Sequence, residues 1–194
     1  AYGVAFQALE QGFTIEWLLN YRGGSFVLDL TEDRIRTCRL RGVSFSAISG
    51  SNLAQIFAEI EANNMDRVML EKAPKIVVYT PPEKRPWDDA VTMALKYAEV
   101  PYKTIWDKAV LAGDLTKYDW LHLHHEDFTG QYSKFYSYHR MPWYQEQKST
   151  AEALATELGF PTVAEEKKAV ARTIRTYVGN GGFLFAMCSA TETL

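Results

Sequence analysis

The chain has 194 residues, of which 47% are apolar, and this is enough material to bury one sizeable core. Its net charge is −3 with acidic and basic residues interspersed, so the sequence offers no broad basic face for nucleic acid. No apolar run approaches the about 20 residues that a membrane-spanning helix needs. The two cysteines, Cys38 and Cys188, lie far apart and fit neither a zinc cluster nor a disulfide framework.

Helix and strand patterns alternate along the first part of the chain. In order, they predict a helix over 1–11, a strand over Phe13–Leu19, a polar helix over 31–41, a strand over Val43–Ile48 and a helix that Ser51 or Asn52 caps.

A Gly-rich loop, Arg22-Gly23-Gly24-Ser25, follows the first strand and can hold an anion with its backbone N–H groups. It lacks the lysine of a phosphate loop and the three glycines of a dinucleotide site, so a tight turn is the simpler interpretation. We therefore expect no nucleotide cofactor, and Arg22 is a candidate for binding substrate.

The second part of the chain continues the alternation. It predicts strands over Lys75–Thr80, Tyr102–Trp106, Tyr118–His124 and Phe183–Met187, and helices over 86–97, 145–158 and 163–178. Strands that alternate with helices are typical of a mostly parallel sheet. We predict a single α/β domain over 1–194, with a soft boundary near 74–86. Within it, Glu165-Glu166-Lys167-Lys168 has the pattern of a solvated helix face.

Residues 182–190 predict a nucleophile elbow, which is a sharp turn between a strand and a helix that exposes a reactive side chain. An apolar strand runs into Cys188, and residues that favour a helix start follow it. The strained backbone of such a turn needs small neighbours, and Ala186 and Ala190 occupy the positions two before and two after the cysteine. The alternative is that Cys188 is a small buried apolar residue that closes the strand.

The densest polar cluster, His124-His125-Glu126-Asp127, falls where another strand ends. Ligands of open α/β sheets bind at the carboxyl ends of the strands, so this cluster can share a crevice with Cys188. A histidine can take the proton of the thiol, and a carboxylate such as Glu126 can orient the ring. Metal binding is a rival interpretation, but the spacing matches no recognised ligand motif, so we expect no metal. Hydrogen bonding within the loop is the plainest alternative.

The segment over 126–144 is rich in aromatic residues set among polar ones. Rings in polar loops commonly line binding clefts, although half-buried packing explains them equally. Tyr132, Tyr136 and Trp143, together with Asp127, are therefore candidates for binding substrate.

Neither end of the sequence has the signals of an element boundary. The first helix lacks a capping residue, and the chain ends at Leu194 about one turn into the helix after Cys188, with no stop signal. We expect the chain to be a fragment of a longer protein.

Five stretches make the whole chain resemble a bacterial family, common in Bacteroidetes, whose members carry the name asparagine synthetase B. They are Ala1–Val4, Trp17–Phe26, Pro86–Ala90, Tyr118–Tyr132 and Gly182–Thr191. The resemblance implies a protein that is longer at both ends and that often begins with a signal-peptide-like segment, which suggests export to the periplasm. Genuine asparagine synthetases of that name use an N-terminal cysteine nucleophile and an ATP-binding synthetase domain. This sequence shows neither feature, since residue 1 is Ala and no ATP-pyrophosphatase glycine motif is present.

In structural terms the chain resembles the class I glutamine amidotransferase-like fold, a flavodoxin-like three-layer sandwich around a mostly parallel sheet. There, a cysteine elbow follows a Gly-Gly-apolar strand, and a His–Glu pair comes well downstream. This chain departs from the pattern at Ala186 and Ala190, where those enzymes usually have Gly. It departs again at 124–127, where their oxyanion loop is glycine-rich. Alanine fits the turn, but its methyl group near the oxyanion site argues against glutaminase activity.

Two functions follow from these observations. In the first, Cys188 attacks the carbonyl of a small-molecule or peptide amide, and the N–H of Ser189 helps to stabilise the oxyanion. The base is then His124, His125 or a histidine beyond the end of the chain. In the second, the fold is a non-catalytic module that binds a sugar or a peptide between the aromatic candidates and the 124–127 cluster. The oligomeric state stays open.

Overall fold

The computed structural model describes residues 1–82, 90–124 and 126–194. The chain divides into two compact units, Ala1–Ala73 with Tyr97–Val100 and Pro74–Lys96 with Pro101–Leu194. A single domain over 1–194 stays a prediction. Among the described residues, no helix combines the length and the apolar character that a membrane crossing requires.

The first unit is built around a small antiparallel sheet. Its elements are, in chain order, α1 (Tyr2–Glu10), β1 (Ile15–Leu19), a 3₁₀ turn (Tyr21–Gly23), β2 (Ser25–Val27), α2 (Glu32–Leu40), α3 (Gly50–Ala62) and β3 (Asp66–Leu70). The strand order is β2-β1-β3, with both neighbours antiparallel to β1. The predicted strand at Phe13–Leu19 therefore exists, but it does not join a parallel sheet. The short connection from β1 to β2 permits only antiparallel pairing.

The predicted strand at Val43–Ile48 is wrong, because this stretch has no regular structure. Its alternation of apolar and polar residues fits a strand, yet Phe45 and Ile48 are 43% and 44% exposed. In the described part of the sheet, β1 pairs with β2 and β3, and the stretch at Val43–Ile48 pairs with neither outer strand. The helix that follows starts earlier than predicted: Ser49 is the cap, and its Oγ accepts the N–H of Asn52 (3.2 Å).

The second unit alternates strands and helices, as the sequence predicts. Its elements are β4 (Ile76–Tyr79), α4 (Ala90–Tyr97, ending in the first unit), β5 (Tyr102–Ile105), α5 (Asp107–Leu111), a 3₁₀ turn (Asp114–Lys117), β6 (Trp120–Leu123), a 3₁₀ helix (Ser133–Tyr138), α6 (Pro142–Glu157), α7 (Val163–Gly179), β7 (Phe183–Ala186) and α8 (Ala190–Thr193). The predicted start of a helix at Pro86 lies outside the described residues.

Among the described residues of this unit, four strands form an all-parallel sheet in the order β5-β4-β6-β7. Helices flank it, so the unit is an α/β fold, and its strand order is compatible with a flavodoxin-like arrangement. The chain passes from β4 outward to β5 and then returns to the other side of β4 with β6. This reversal creates a topological switch point between β4 and β6, where crevices open at the carboxyl ends of parallel strands.

The core of the second unit lies between one face of the sheet and α7. Every second residue of the strands faces this core, because successive side chains of a strand point to opposite faces. Residues three or four positions apart on α7 face it from the other side. The fully buried members include Val77, Tyr79, Leu121 and Leu123 from the strands and Val170 and Ile174 from α7. Thr162 caps α7 by accepting the N–H of Glu165 (3.2 Å), so the first turn of this helix is fixed beside the carboxyl ends of the strands.

Candidate functional site at the carboxyl ends of the strands

Cys188 lies on the turn between β7 and α8, with its side chain exposed. Its φ is 50°, in the left-handed region that L-residues other than Asn and Asp rarely adopt. The turn is held by its own neighbours, because the carbonyl of Cys188 accepts the N–H (3.1 Å) and the Oγ1–H (2.6 Å) of Thr191. An exposed thiol on a strained strand-to-helix turn is the geometry of a nucleophile elbow.

Small residues on either side make room for this turn. Ala190 is fully buried and belongs to the core, while Ala186 ends β7 and packs against the same core. A larger side chain at Ala190 would have to displace core residues. The predicted reason for small neighbours is thus visible in the packing.

His124 lies at the end of the neighbouring strand and is tied to the elbow through the backbone. The N–H of Met187 donates to the carbonyl of Leu123 (3.1 Å), and the N–H of Ala190 donates to the carbonyl of His124 (3.2 Å). The first bond continues the β6–β7 ladder past the strands, and the second joins His124 to the start of α8. His124 and Cys188 therefore share one edge of the sheet. Among the described residues, none forms a hydrogen bond with the sulfur of Cys188.

Glu126 is buried and holds the same edge together. Its Oε2 accepts the N–H of His124 (2.9 Å), and its carbonyl accepts the hydroxyl of Thr193 (3.2 Å). That hydroxyl oxygen also accepts the N–H of Phe128 (3.2 Å). Thr193 of α8 therefore fixes the loop after β6 to the helix that follows the elbow.

The oxyanion candidate is the N–H of Ser189, which directly follows Cys188 in the chain. Neither the N–H of Cys188 nor that of Ser189 donates to another residue in the described part of the chain. Ser189 is buried, and its hydroxyl oxygen likewise has no partner there. An uncommitted N–H directly after the nucleophile is what an oxyanion hole requires.

The remaining predicted residues fall into different environments. The carboxylate of Asp127 is engaged by its own loop, since its Oδ1 accepts the N–H (2.8 Å) and the hydroxyl (2.7 Å) of Thr129. Tyr132 packs against Tyr144, with ring centroids 5.9 Å apart, and its hydroxyl is buried. Burial, followed by neighbouring acidic groups, raises the pKa of Tyr132 well above its usual range.

Tyr136 and Trp143 are exposed, by 63% and 44%, and belong to an aromatic surface rather than to the elbow. Tyr136 stacks on His139, and Trp143 contacts Phe135 at 6.2 Å between ring centroids. Arg22 belongs to the first unit, where its guanidinium lies over the Tyr21 ring at 5.3 Å. His125 lies outside the described residues. Among those that are described, no group of three or more His, Cys, Asp or Glu side chains is arranged to hold a metal ion.

A buried polar cluster at the same edge of the sheet was missed by the sequence analysis. Lys167 of α7 donates to Oδ2 of Asp107 (2.6 Å) and to the hydroxyl of Tyr79 (2.9 Å), and that hydroxyl donates to Oδ1 of Asp107. The ammonium of Lys167 also lies 4.0 Å from the ring centroid of Trp106. The group thereby joins β4, α5 and α7 through one ion pair and a shared hydroxyl. We call Tyr79, Asp107, Glu166 and Lys167 the buried charge cluster.

Glu166 is the unusual member of the buried charge cluster. Its exposed fraction is 0%, and neither carboxyl oxygen has a hydrogen-bond partner among the described residues. Burial, and then the negative charge of Asp107, raise the pKa of Glu166 to about 7, although Lys167 opposes the rise.

The prediction of a solvated helix face at 165–168 is therefore wrong for Glu166 and Lys167, which are 0% and 6% exposed. The signal was present in the helical spacing of α7. Val163, Val170 and Ile174 are buried, and a stripe with steps of three and four residues passes through 166 and 167. The charges alone suggested a solvent-exposed face, but the helical spacing places Glu166 and Lys167 on the buried face of α7.

Comparisons with protein-family models, with curated proteins and with solved structures find no match to this chain, so the geometry of the second unit is what bears on function.

Proposed function

We propose that the protein is a cysteine-dependent amide hydrolase or amidotransferase in which Cys188 is the nucleophile. The observation that carries the proposal is the exposed thiol of Cys188 on a left-handed strand-to-helix turn at the carboxyl edge of a parallel sheet. We further propose that the unit is a class I glutamine amidotransferase-like three-layer domain and that the chain belongs to the family named asparagine synthetase B. The strand order is compatible with that fold.

The chemistry divides into two steps. The thiolate of Cys188 attacks the carbonyl carbon of the amide, and the carbonyl oxygen becomes an oxyanion beside the N–H of Ser189. The intermediate then collapses: the carbon–nitrogen bond breaks, the amine leaves with one proton, and a thioester remains on Cys188. Water, or the amine of an acceptor in a transferase, attacks the thioester and regenerates the thiol.

The base that removes the thiol proton is assigned by position. His124 is the described histidine on the same edge, and Glu126 fixes the backbone on which it is carried. His125 and a histidine from a longer chain are the other candidates. Hydrogen bonds of this kind often tighten only when substrate is bound, so we expect the bond between His124 and the sulfur to form in the substrate complex.

The test is the pH dependence of Cys188 alkylation by iodoacetamide in a Cys38→Ser background, which leaves one thiol. A short peptide with the sequence of residues 182–194 serves as the matched control for an unactivated thiol. We expect the folded protein to react faster than the peptide at neutral pH, because the thiolate and not the thiol is the nucleophile. Panels of amides and esters would follow.

Two variants separate activation from simple exposure. His124→Gln should lower the alkylation rate at neutral pH without changing the limiting rate at high pH, because only the thiolate fraction changes. His125→Gln tests the second histidine in the same way. An alkylation profile that matches the peptide in every variant would show an ordinary thiol and would contradict the proposal.

A second candidate function is a non-catalytic module that binds a sugar or a peptide. The observation that favours it is the exposed aromatic surface with Tyr136 and Trp143, together with the lack of a hydrogen-bonding partner for the sulfur among the described residues. In that case Cys188→Ser would bind its ligand as tightly as the original protein, whereas Trp143→Ala would weaken binding. Glycan and peptide arrays probed with these two variants distinguish the candidates.

A further inference from the structure

We propose that Glu166 is protonated in the folded protein and donates its proton in a hydrogen bond to Asp107, and that loss of this proton loosens the 126–132 loop from α7. The pair belongs to the buried charge cluster and takes no part in the chemistry proposed for Cys188. The inference therefore stands or falls independently of that chemistry.

The first step is the state of the Glu166 carboxyl. It is 0% exposed, and as a carboxylate it would find no donor for either oxygen among the described residues. An ionised carboxylate buried without donors is strongly unfavourable. A protonated carboxyl resolves this, because it can act as a donor toward an acceptor nearby.

The second step is the acceptor. Asp107 is held against α7 by its ion pair with Lys167, the residue after Glu166 (2.6 Å), and its negative charge raises the pKa of Glu166. The oxygens of Asp107 already accept from Tyr79 and from Lys167, and each has a further lone pair. Two ionised carboxylates beside one ammonium would leave a net negative charge in the core. One proton on Glu166 makes the buried charge cluster neutral.

The third step is the set of groups that face Glu166 from the surrounding elements. They are Asp107 of α5, Lys167 of α7, Tyr79 of β4, Tyr132 at the end of the 126–132 loop and, acting on these tyrosines, Glu126, Asp127, Tyr144 and Glu152. Only Lys167 carries a positive charge in this set, and it is already bound to Asp107. Ionisation of Glu166 therefore adds repulsion that this set has no free cation to offset.

The fourth step is the contact through which ionisation of Glu166 affects the 126–132 loop. A Cβ built on Gly130 would lie 2.7 Å from the backbone nitrogen of Ala164, so the loop rests directly on the first turn of α7. From the other side, the ring of Phe128 stacks on Tyr79 with centroids 5.2 Å apart. The 126–132 loop is thus seated on the helix turn and on the tyrosine that border Glu166. Repulsion that moves the first turn of α7 or the Tyr79 ring therefore weakens the contacts that hold the loop.

Infrared spectroscopy tests the protonation directly. We would record the carbonyl stretch of protonated carboxyls in D₂O from about pH 4 to about pH 9 for the original protein, Glu166→Gln and Glu165→Gln. Glu165 is the matched control because it is adjacent, lies on the same helix turn, and has a side chain that is 46% exposed. We expect a band that persists to near neutral pH in the original protein and in Glu165→Gln and is absent in Glu166→Gln. Loss of every protonated band at the pH of ordinary carboxyls would overturn the proposal.

Amide hydrogen exchange tests the coupling to the loop. Comparing the original protein with Glu166→Gln at each pH cancels the intrinsic pH dependence of exchange. We expect equal exchange in the 126–132 loop at about pH 6 and several-fold faster exchange in the original protein at about pH 9. Suppose that the infrared band is present but the two proteins exchange equally at both pH values. Glu166 would then be protonated without any effect on the 126–132 loop, and the proposed loosening of the loop would be refuted. Cys188 alkylation plays no part in either readout.

Discussion

The backbone of Cys188 stores strain that a single substitution can reveal. Its φ of 50° costs an L-residue about 1 kcal/mol relative to glycine. We expect Cys188→Gly to unfold with a higher free energy than Cys188→Ala, by about 1 kcal/mol, in urea titrations. Ala186, which lies in the regular strand β7, gives the opposite control: Ala186→Gly should lower the free energy of unfolding by about 0.5–1 kcal/mol. Equal stabilities for the two Cys188 variants would mean that the elbow is not strained.

Sequence reasoning at the residue scale succeeds where the chemistry is local. A cysteine between an apolar strand and small residues predicts the turn of Cys188, because the turn itself imposes those neighbours. It fails for Glu166 and Lys167, whose burial depends on which helix face the sheet covers. Asp107 and Tyr79 were missed for the same reason, since their partner Lys167 lies 60 and 88 residues away in sequence.

At the scale of elements, the contact between the 126–132 loop and α7 makes Gly130 irreplaceable. Its φ is +62°, and an added methyl would lie 2.7 Å from a backbone nitrogen that cannot move aside. We expect Gly130→Ala to lower the free energy of unfolding by about 2–4 kcal/mol, because strain and overpacking add. Gly159→Ala is the matched control, with a φ of +82° and no atom within 4 Å of the added carbon. It should cost about 1 kcal/mol, from strain alone.

Comparing these two variants in thermal or urea unfolding separates the cost of steric crowding from the cost of the left-handed backbone conformation. If both variants lose the same stability, then the loop does not rest on α7 as tightly as described. That result would also remove the structural basis for coupling between Glu166 and the loop.

The elements themselves were predictable in proportion to their length and periodicity. The helices α6 and α7 were found because they are long, with apolar residues at helical spacing in α7, and the strand β4 was found because it is a continuous apolar run. The strands β2 and β3 were missed, since three and five partly exposed residues carry little pattern. The strand predicted at Val43–Ile48 shows the opposite case. Its apolar and polar residues alternate as in a strand, but it forms no strand because it pairs with no other strand.

At the scale of the whole molecule, the sequence predicts alternation but not which strands pair with each other. The parallel sheet of the second unit follows from strand and helix taking turns, whereas β1 pairs inside a separate antiparallel sheet. Long-range pairing is a property of topology, and local composition does not encode it. The same limit applies to the candidate site. The sequence suggests that His124 and Cys188 lie close together, but it is the pairing of β6 with β7 that places them on one edge of the sheet.

The stability of the molecule should depend on pH through Glu166. Its pKa is about 7 in the folded protein against an ordinary value of 4.5, so the folded state holds a proton that the unfolded state has released between these values. The free energy of unfolding therefore falls as pH rises through this window, by a total on the order of 3 kcal/mol, and then levels off. Glu166→Gln keeps a neutral donor toward Asp107 and should not show this fall.

The measurement is urea unfolding of the original protein, Glu166→Gln and Glu165→Gln from about pH 4 to about pH 9. The difference between Glu166→Gln and the original protein should be small at the acidic end, grow up to neutral pH and stay constant above it. Glu165→Gln should follow the original protein across that window, because hydrogen bonding to Lys168 lowers the pKa of Glu165 and moves its titration to more acidic pH. Parallel curves for all three proteins would mean that Glu166 ionises normally in the fold, and the buried charge cluster would then need a cation or water to balance it.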